Sequence, residues 1–221
     1  MKPRTLVSWS SGKDSAWTLH LLRAAGEFEV AALFTTINQS FDRVAMHGVR
    51  SELLAQQARN LGAPLWSIPL PWPCPNFEYE RLLRAACDRA VAEGIDAVAF
   101  GDLFLAEIRQ YRESQLASTG LRPLFPLWQL PTRALALQMV RSGLRAKVVC
   151  LDPKQLDPRF LGRDFDETFL RDLPADVDPC GENGEFHTFA YDGPMFMEPI
   201  RVVQGEKVLR DGFWFCDLLP A

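Results

Sequence analysis

The sequence predicts an α/β fold: a parallel sheet wound with helices in the first part of the chain, then a smaller α+β domain. Three observations carry this. Short apolar runs alternate with helical patterns from residue 6 to residue 118, the rhythm of parallel strands joined by right-handed crossovers. That rhythm breaks in the proline-rich stretch 121–131, and after Phe186 the chain continues in short β-like pieces. The second part is therefore expected to hold a mixed or antiparallel sheet. The expected division is residues 1–122 and residues 123–221.

Residues 6–9 form a mostly apolar β-type run, and a helix opens at Asp14 or Ser15 and continues through Ala16, Trp17, Leu19 and Leu22. Between them stand Ser10, Ser11, Gly12, Lys13, Asp14 and Ser15. A strand, a tight turn and a helix N-terminus make an anion site. First-turn amides lack intrahelical acceptors, the helix dipole adds partial positive charge, and Lys13 adds a full one. Phosphate suits that combination. The spacing is not that of the G-x-x-x-x-G-K-[ST] loop, which would need glycine at Val7 and a hydroxyl at Asp14.

A second strand at residues 28–34 runs into Thr35, Thr36, Ile37 and Asn38. Ligands of open α/β sheets sit beyond the carboxyl ends of the strands, so Phe34, Thr35 and Thr36 are expected beside the loop. A loop over 43–49 holds Met46 and His47, the latter a candidate phosphate or base contact, and a helix over 50–61 ends at Gly62 with Pro64 beyond. The third strand, 65–70, precedes Pro71, Pro73 and Pro75, which force an extended connection. Asn76 is then the expected N-cap of a helix reaching Gly94, with Tyr79, Leu82, Leu83, Ala86, Ala90 and Val91 on one face.

The fourth strand, 97–100, ends at Gly101 and Asp102. The glycine would let a ligand approach the backbone, and the acid would face the crevice of Lys13. Glu107, Arg109, Arg112 and Glu113 on the next helix, 105–118, read as a solvated face. Phe125, Leu127 and Trp128 make the junction a packed one. Beyond it the pattern predicts a helix over 132–142 closed by Gly143, a strand over 147–151, loop and short helix over 152–174, and β pieces at 186–191, 200–203 and 208–215.

Bulk properties restrict the function. The 221 residues are 48% hydrophobic and 24% charged, a normal globular mixture, and the net charge of −4 gives no global electrostatic case for a nucleic-acid partner. No run approaches a membrane span and residues 1–4 lead straight into the first strand, so a cytoplasmic location without membrane attachment is expected. Five scattered cysteines form no C-x-x-C, and the three histidines lack zinc spacing. The expectation is reduced thiols and no structural metal, with magnesium entering only with a nucleotide through Asp14 or Asp102.

Residues 178–188 read Asp-Pro-Cys-Gly-Glu-Asn-Gly-Glu-Phe-His-Thr. Either Asn183-Gly184 is a hairpin turn with solvated neighbours, or Glu182, Asn183, Glu185 and His187 complete a site.

The run Ser10-Ser11-Gly12-Lys13-Asp14-Ser15 resembles the S-G-G-K-D-S loop of the ATP pyrophosphatase superfamily, with Ser11 in place of the first glycine. A left-handed backbone at Ser11 would carry a modest penalty. Taken with Met46-His47, Gly94-Ile95-Asp96, Phe100-Gly101-Asp102, Pro126-Leu127-Trp128 and residues 181–188, the chain resembles the diphthine–ammonia ligase family from its first strand to about Pro194.

The resemblance implies an adenine nucleotide α-hydrolase-like (HUP) first domain that binds ATP, and a second domain whose G-E-N-G-E motif faces the nucleotide. It also implies adenylation of a carboxylate, release of pyrophosphate, and displacement of AMP by ammonia. In the best-understood members the acceptor is diphthine on elongation factor 2. For this chain the expected acceptor is a carboxylate-bearing small molecule or modified protein side chain, and free ammonia is the simpler expected nitrogen source, since no glutaminase domain fits in the length. On this reading ATP meets Ser10, Ser11, Gly12, Lys13, Asp14, Ser15, Phe34, Thr35, Thr36, Met46, His47, Gly101 and Asp102. Lys13, Glu182, Asn183 and Glu185 are the catalytic set, and Glu182, Asn183, Glu185 and His187 meet the substrate. A homo-oligomer is compatible with the sequence. Two other readings stay open. A tRNA-modifying ATP pyrophosphatase is disfavoured by the missing C-x-x-C and the acidic balance; a non-catalytic ATP-binding protein would bind ATP without releasing AMP.

Overall fold

The computed structural model describes residues 1–44 and 47–221. Strand β1 (Arg4–Ser8) is the axis of the first sheet, pairing in parallel with β2 (Glu29–Asn38) on one side and β5 (Ala97–Ala99) on the other. β4 (Leu65–Leu70) extends the sheet beyond β2, and β6 (Arg122–Leu124) extends it beyond β5, both in parallel. The chain thus builds outward from β1 on one side, then returns to start again at β5. That reversal opens a crevice at the carboxyl ends of β1 and β5, where ligands of such sheets bind.

Helices cover both faces, which is why the buried middle of β1 holds Leu6 and Val7 and β5 is apolar throughout. Val7, Leu33 and Ala99 pack toward α1 (Lys13–Ala25) and α2 (Ser51–Asn60). Leu6, Ala32, Val98 and Phe100 pack toward α3 (Asn76–Ala92) and α4 (Ala106–Leu116). In the second part, α5 (Thr132–Arg141), β7 (Arg145–Leu151), a 3₁₀ turn at Pro158–Phe160 and α6 (Glu167–Asp172) precede β8 (Phe186–Asp192), β9 (Val202–Arg210) and β10 (Phe213–Pro220). These strands form a wholly antiparallel sheet in the order β8-β7-β10-β9. One buried cluster joins Leu19 and Leu54 to Val148, Phe160, Phe169 and Phe186, so the two sheets share a core.

Several local expectations need correction. The loop over 43–49 begins with a short strand, β3 (Arg43–Val44), antiparallel to the end of β2. The proline-rich stretch begins with β6, whose Pro123 is accommodated because β6 is a sheet edge. The pieces at 200–203 and 208–215 are instead one hairpin of β9 and β10, turning at Asp211 (φ 51°) and Gly212 (φ 86°). Asp-Gly is the pair that supplies two left-handed residues in such a turn. Asn76 makes no capping bond and is the first residue of α3, after an extended Pro75. Val91 on the same helix is 47% exposed, so the buried face is narrower than its pattern suggested.

Candidate active site

The loop after β1 owes its shape to groups from three directions. Ser11 takes a left-handed backbone (φ 71°), which costs an L-residue roughly 1–2 kcal/mol. Its carbonyl accepts from the Ala190 amide at 2.9 Å and from Gln57 Nε2 at 3.0 Å. Gln57, fully buried on α2, also donates to the Ala190 carbonyl at 2.6 Å and accepts from Trp9 Nε1 at 3.0 Å. This amide therefore ties the loop to β8. Ser10 Oγ accepts the Gly12 amide at 3.3 Å, and Ser15 Oγ donates to the Gly12 carbonyl at 2.9 Å. A Cβ on Gly12 would lie 3.0 Å from His47 Cε1 and 3.2 Å from the Thr188 carbonyl, so a larger residue there would have to push both neighbours back by a few tenths of an ångström.

Helix α1 begins at Lys13, whose amide donates to Thr188 Oγ1 at 3.1 Å, a cap supplied by the second sheet. The Lys13 side chain is 2% exposed. Its Nζ donates to Asp14 Oδ2 at 2.8 Å and to the Cys180 carbonyl, and lies 5.4 Å and 5.6 Å from the ring centroids of Phe186 and Phe165. Burial pulls the Lys13 pKa down and the Asp14 charge pushes it up, with the upward pull winning, so the ammonium stays charged. Gly101 has a related structural use: a Cβ there would sit 3.1 Å from the Asp14 carbonyl carbon and 3.2 Å from the Ser15 nitrogen. The close approach its sequence position suggested is to the first turn of α1.

A cavity of about 790 Å³ occupies the crevice, within the usual range for small-molecule sites. Of the expected residues, Ser10, Lys13, Asp14, Ser15, Phe34, Thr35, Thr36, His47, Gly101, Asp102, Glu182 and His187 line it. Ser11 and Gly12 shape the loop from behind that wall. Met46 lies outside the described residues. Asn183 and Glu185, expected in the catalytic and substrate-binding set, are not among the residues that line the cavity. Glu185 is 2% exposed and folded beneath its own loop, where Oε1 accepts from the Asp178 amide at 2.9 Å and from Asn183 Nδ2 at 3.0 Å. It braces the turn that presents Glu182.

Glu182 does reach the crevice. Its Oε1 accepts the Leu103 amide at 2.7 Å and lies 3.4 Å from the Phe104 amide, across from its own domain. Burial, against those bonds and with Asp14 and Asp102 near, lifts its pKa to about 7. Burial likewise raises Asp14 and Asp102. Asp14 Oδ1 and Asp102 Oδ2 are buried without a hydrogen-bond partner among the described residues, which suits a cation arriving between them. No three His, Cys, Asp or Glu side chains among the described residues are grouped to hold a metal ion by themselves. Magnesium would thus need phosphate oxygens beside Asp14 and Asp102. The rings of His47 and His187 lie 4.7 Å apart, and His47 Nδ1 is 3.1 Å from the Thr188 carbonyl. Burial drives their pKa values down to about 3 and about 4, so both are neutral at pH 7.

Three contributors escaped the sequence reading. Gln57 looks like any polar residue of α2. Thr188 closes the 181–188 motif, but nothing in the chain pairs it with Lys13. Arg112 has the spacing of a solvated face; Arg109 does pair with Glu113 at 2.7 Å on that surface, whereas Arg112 turns inward over Phe100.

The fold and site define a doubly wound α/β protein whose loop after β1 is braced by a second, antiparallel domain. Two family models match the chain, the diphthamide synthase N-terminal domain over residues 3–123 and the diphthamide synthase C-terminal domain over residues 132–218. The chain belongs to the diphthamide synthase family. It is similar to the Bos taurus protein named diphthine–ammonia ligase, at 29% identity over 90% of this chain and 82% of that one. The Homo sapiens protein of the same name is 28% identical over 91% of this chain and 83% of its own length. The Danio rerio protein is 32% identical over 52% of this chain and 48% of its own. No helix of the described residues is long and apolar enough to cross a membrane.

Proposed function

We propose that the chain is an ATP-dependent ligase that activates a carboxylate and converts it to an amide with ammonia. The observation that carries this is Glu182 of one domain bonded to the Leu103 amide of the other, which brings a carboxylate of raised pKa to the rim of an anion-binding loop. The loop amides and Lys13 hold the phosphates of ATP, and its adenine lies toward Phe34, Thr35 and Thr36. An acceptor carboxylate oxygen attacks the α-phosphorus, the bond from that phosphorus to the bridging oxygen breaks, and pyrophosphate leaves with the electron pair. Ammonia then attacks the acyl carbon, the acyl–oxygen bond breaks, AMP leaves, and a proton from the attacking nitrogen passes to Glu182. A group with pKa near 7 suits that transfer. Magnesium between Asp14, Asp102 and the phosphates would screen charge on the leaving group. By its relatives' name, the acceptor is a diphthine-bearing protein.

Thermal unfolding with and without ATP and magnesium tests the nucleotide part. ATP should raise the midpoint for the wild type, and Lys13→Ala should lose that response. A variant that responds normally would remove the loop from the site.

A further inference from the structure

One cation of the cavity has no role in the chemistry above. Arg112, on α4, has a buried Nε with no hydrogen-bond partner among the described residues. Its guanidinium stands 5.2 Å from the centroid of the Phe100 ring, and Nε makes a long ion pair with Asp102 Oδ2 at 3.9 Å, beyond hydrogen-bond reach. Asp102 Oδ2 is unpartnered too. The other cations on the wall are hydrogen-bonded: Lys13 to Asp14 and Cys180, Arg84 to Asp88 at 3.0 Å and Ser118 at 2.7 Å.

The charges around Arg112 narrow what it can take. Asp14, Asp102 and Glu182 all line the space where acceptor and nucleotide would meet, and an entering carboxylate would be repelled there unless a cation receives it. Phosphates already have the loop and the start of α1 on the side of β1. A planar guanidinium supported on an aromatic ring presents a fork that matches the two oxygens of a carboxylate. Resting on the ligase reading, we infer that Arg112 anchors the acceptor's carboxylate beside Asp102, and so makes the site selective for the acid over the carboxamide it becomes. The amide carries no charge and offers one carbonyl oxygen, so it loses the paired contact and is released.

The test is calorimetric titration of the protein, loaded with a non-hydrolysable ATP analogue and magnesium, with two peptides: one bearing diphthine, the other its amide. Wild type should prefer the acid by about 10-fold or more, in the range of a charge-assisted hydrogen bond. Arg112→Gln should lose that preference, Arg112→Lys should keep part of it, and both should bind the nucleotide analogue within about 2-fold of wild type, which also shows that they fold. An undiminished preference in Arg112→Gln, or an equal loss of nucleotide affinity, would overturn the assignment while leaving the ligase reading intact. Wild type that binds nucleotide but neither peptide would overturn the diphthine reading and this inference together.

Discussion

Glu182 and Leu103 meet across the domain boundary at 2.7 Å, the carboxylate of the second domain accepting a backbone amide from the loop after β5 of the first. The bond fixes where the 181–188 motif stands relative to Asp102, and it places an acid in a spot that raises its pKa to about 7.

That shift has a sign in stability. The folded state holds the Glu182 proton to higher pH than the unfolded state, whose carboxyl titrates near 4.5, so between about 4.5 and 7 the native form binds more protons and stability falls as pH rises. Glu182→Gln has no proton to lose. Melting temperatures of the two proteins should move apart in favour of the variant as pH climbs through that window, and parallel curves would show that the carboxyl is not perturbed.

The two glutamates of the motif should behave differently in catalysis. Glu182→Gln removes the proposed proton acceptor at the crevice, and acceptor-dependent AMP formation should fall by about 10²-fold, as for a lost acid–base group. Glu185→Gln keeps an oxygen for the Asp178 amide and Asn183, so its rate should stay within about 10-fold of wild type. Steady-state assays with saturating ATP decide this; the reverse order would put Glu185 in the chemistry.

Ser11 is a place where the chain departs from its best local choice. It holds a left-handed backbone and a buried hydroxyl with no partner among the described residues. Ser11→Gly relieves roughly 1–2 kcal/mol of backbone cost and a further ~1 kcal/mol or more from the orphaned hydroxyl, against about 0.5–1 kcal/mol of added chain entropy. The net gain of roughly 1–2.5 kcal/mol should raise the melting temperature by about 2–10 °C. A fall would mean that the hydroxyl is bonded in solution.

Much of this arrangement is legible in the sequence because its causes are local. A strand, a glycine turn and a helix start determine the anion loop from adjacent residues alone, and the alternation of apolar runs with helical patterns determines the parallel sheet. Relationships between distant positions are where the reading fails. Lys13 and Thr188 are 175 residues apart, and only the shared core that packs α1 against β8 joins them. Glu185 sits three residues from Glu182 and carries the same side chain, yet the turn from Gly181 (φ 70°) to Gly184 (φ 84°) sends one into the crevice and the other beneath the loop. Arg112 has the spacing of a surface charge, and its inward turn depends on Phe100 from another element. The hairpin of β9 and β10 is a different failure, since Asp211-Gly212 was a local signal that a run of apolar neighbours obscured.

Product identity tests the central claim most directly. Purified protein should be incubated with ATP, magnesium, a diphthine-bearing protein and ammonium, and the nucleotides and phosphates separated. AMP and pyrophosphate in equal amounts, dependent on both acceptor and ammonia and lost in Lys13→Ala, are the expected result; ADP and inorganic phosphate in their place would contradict it.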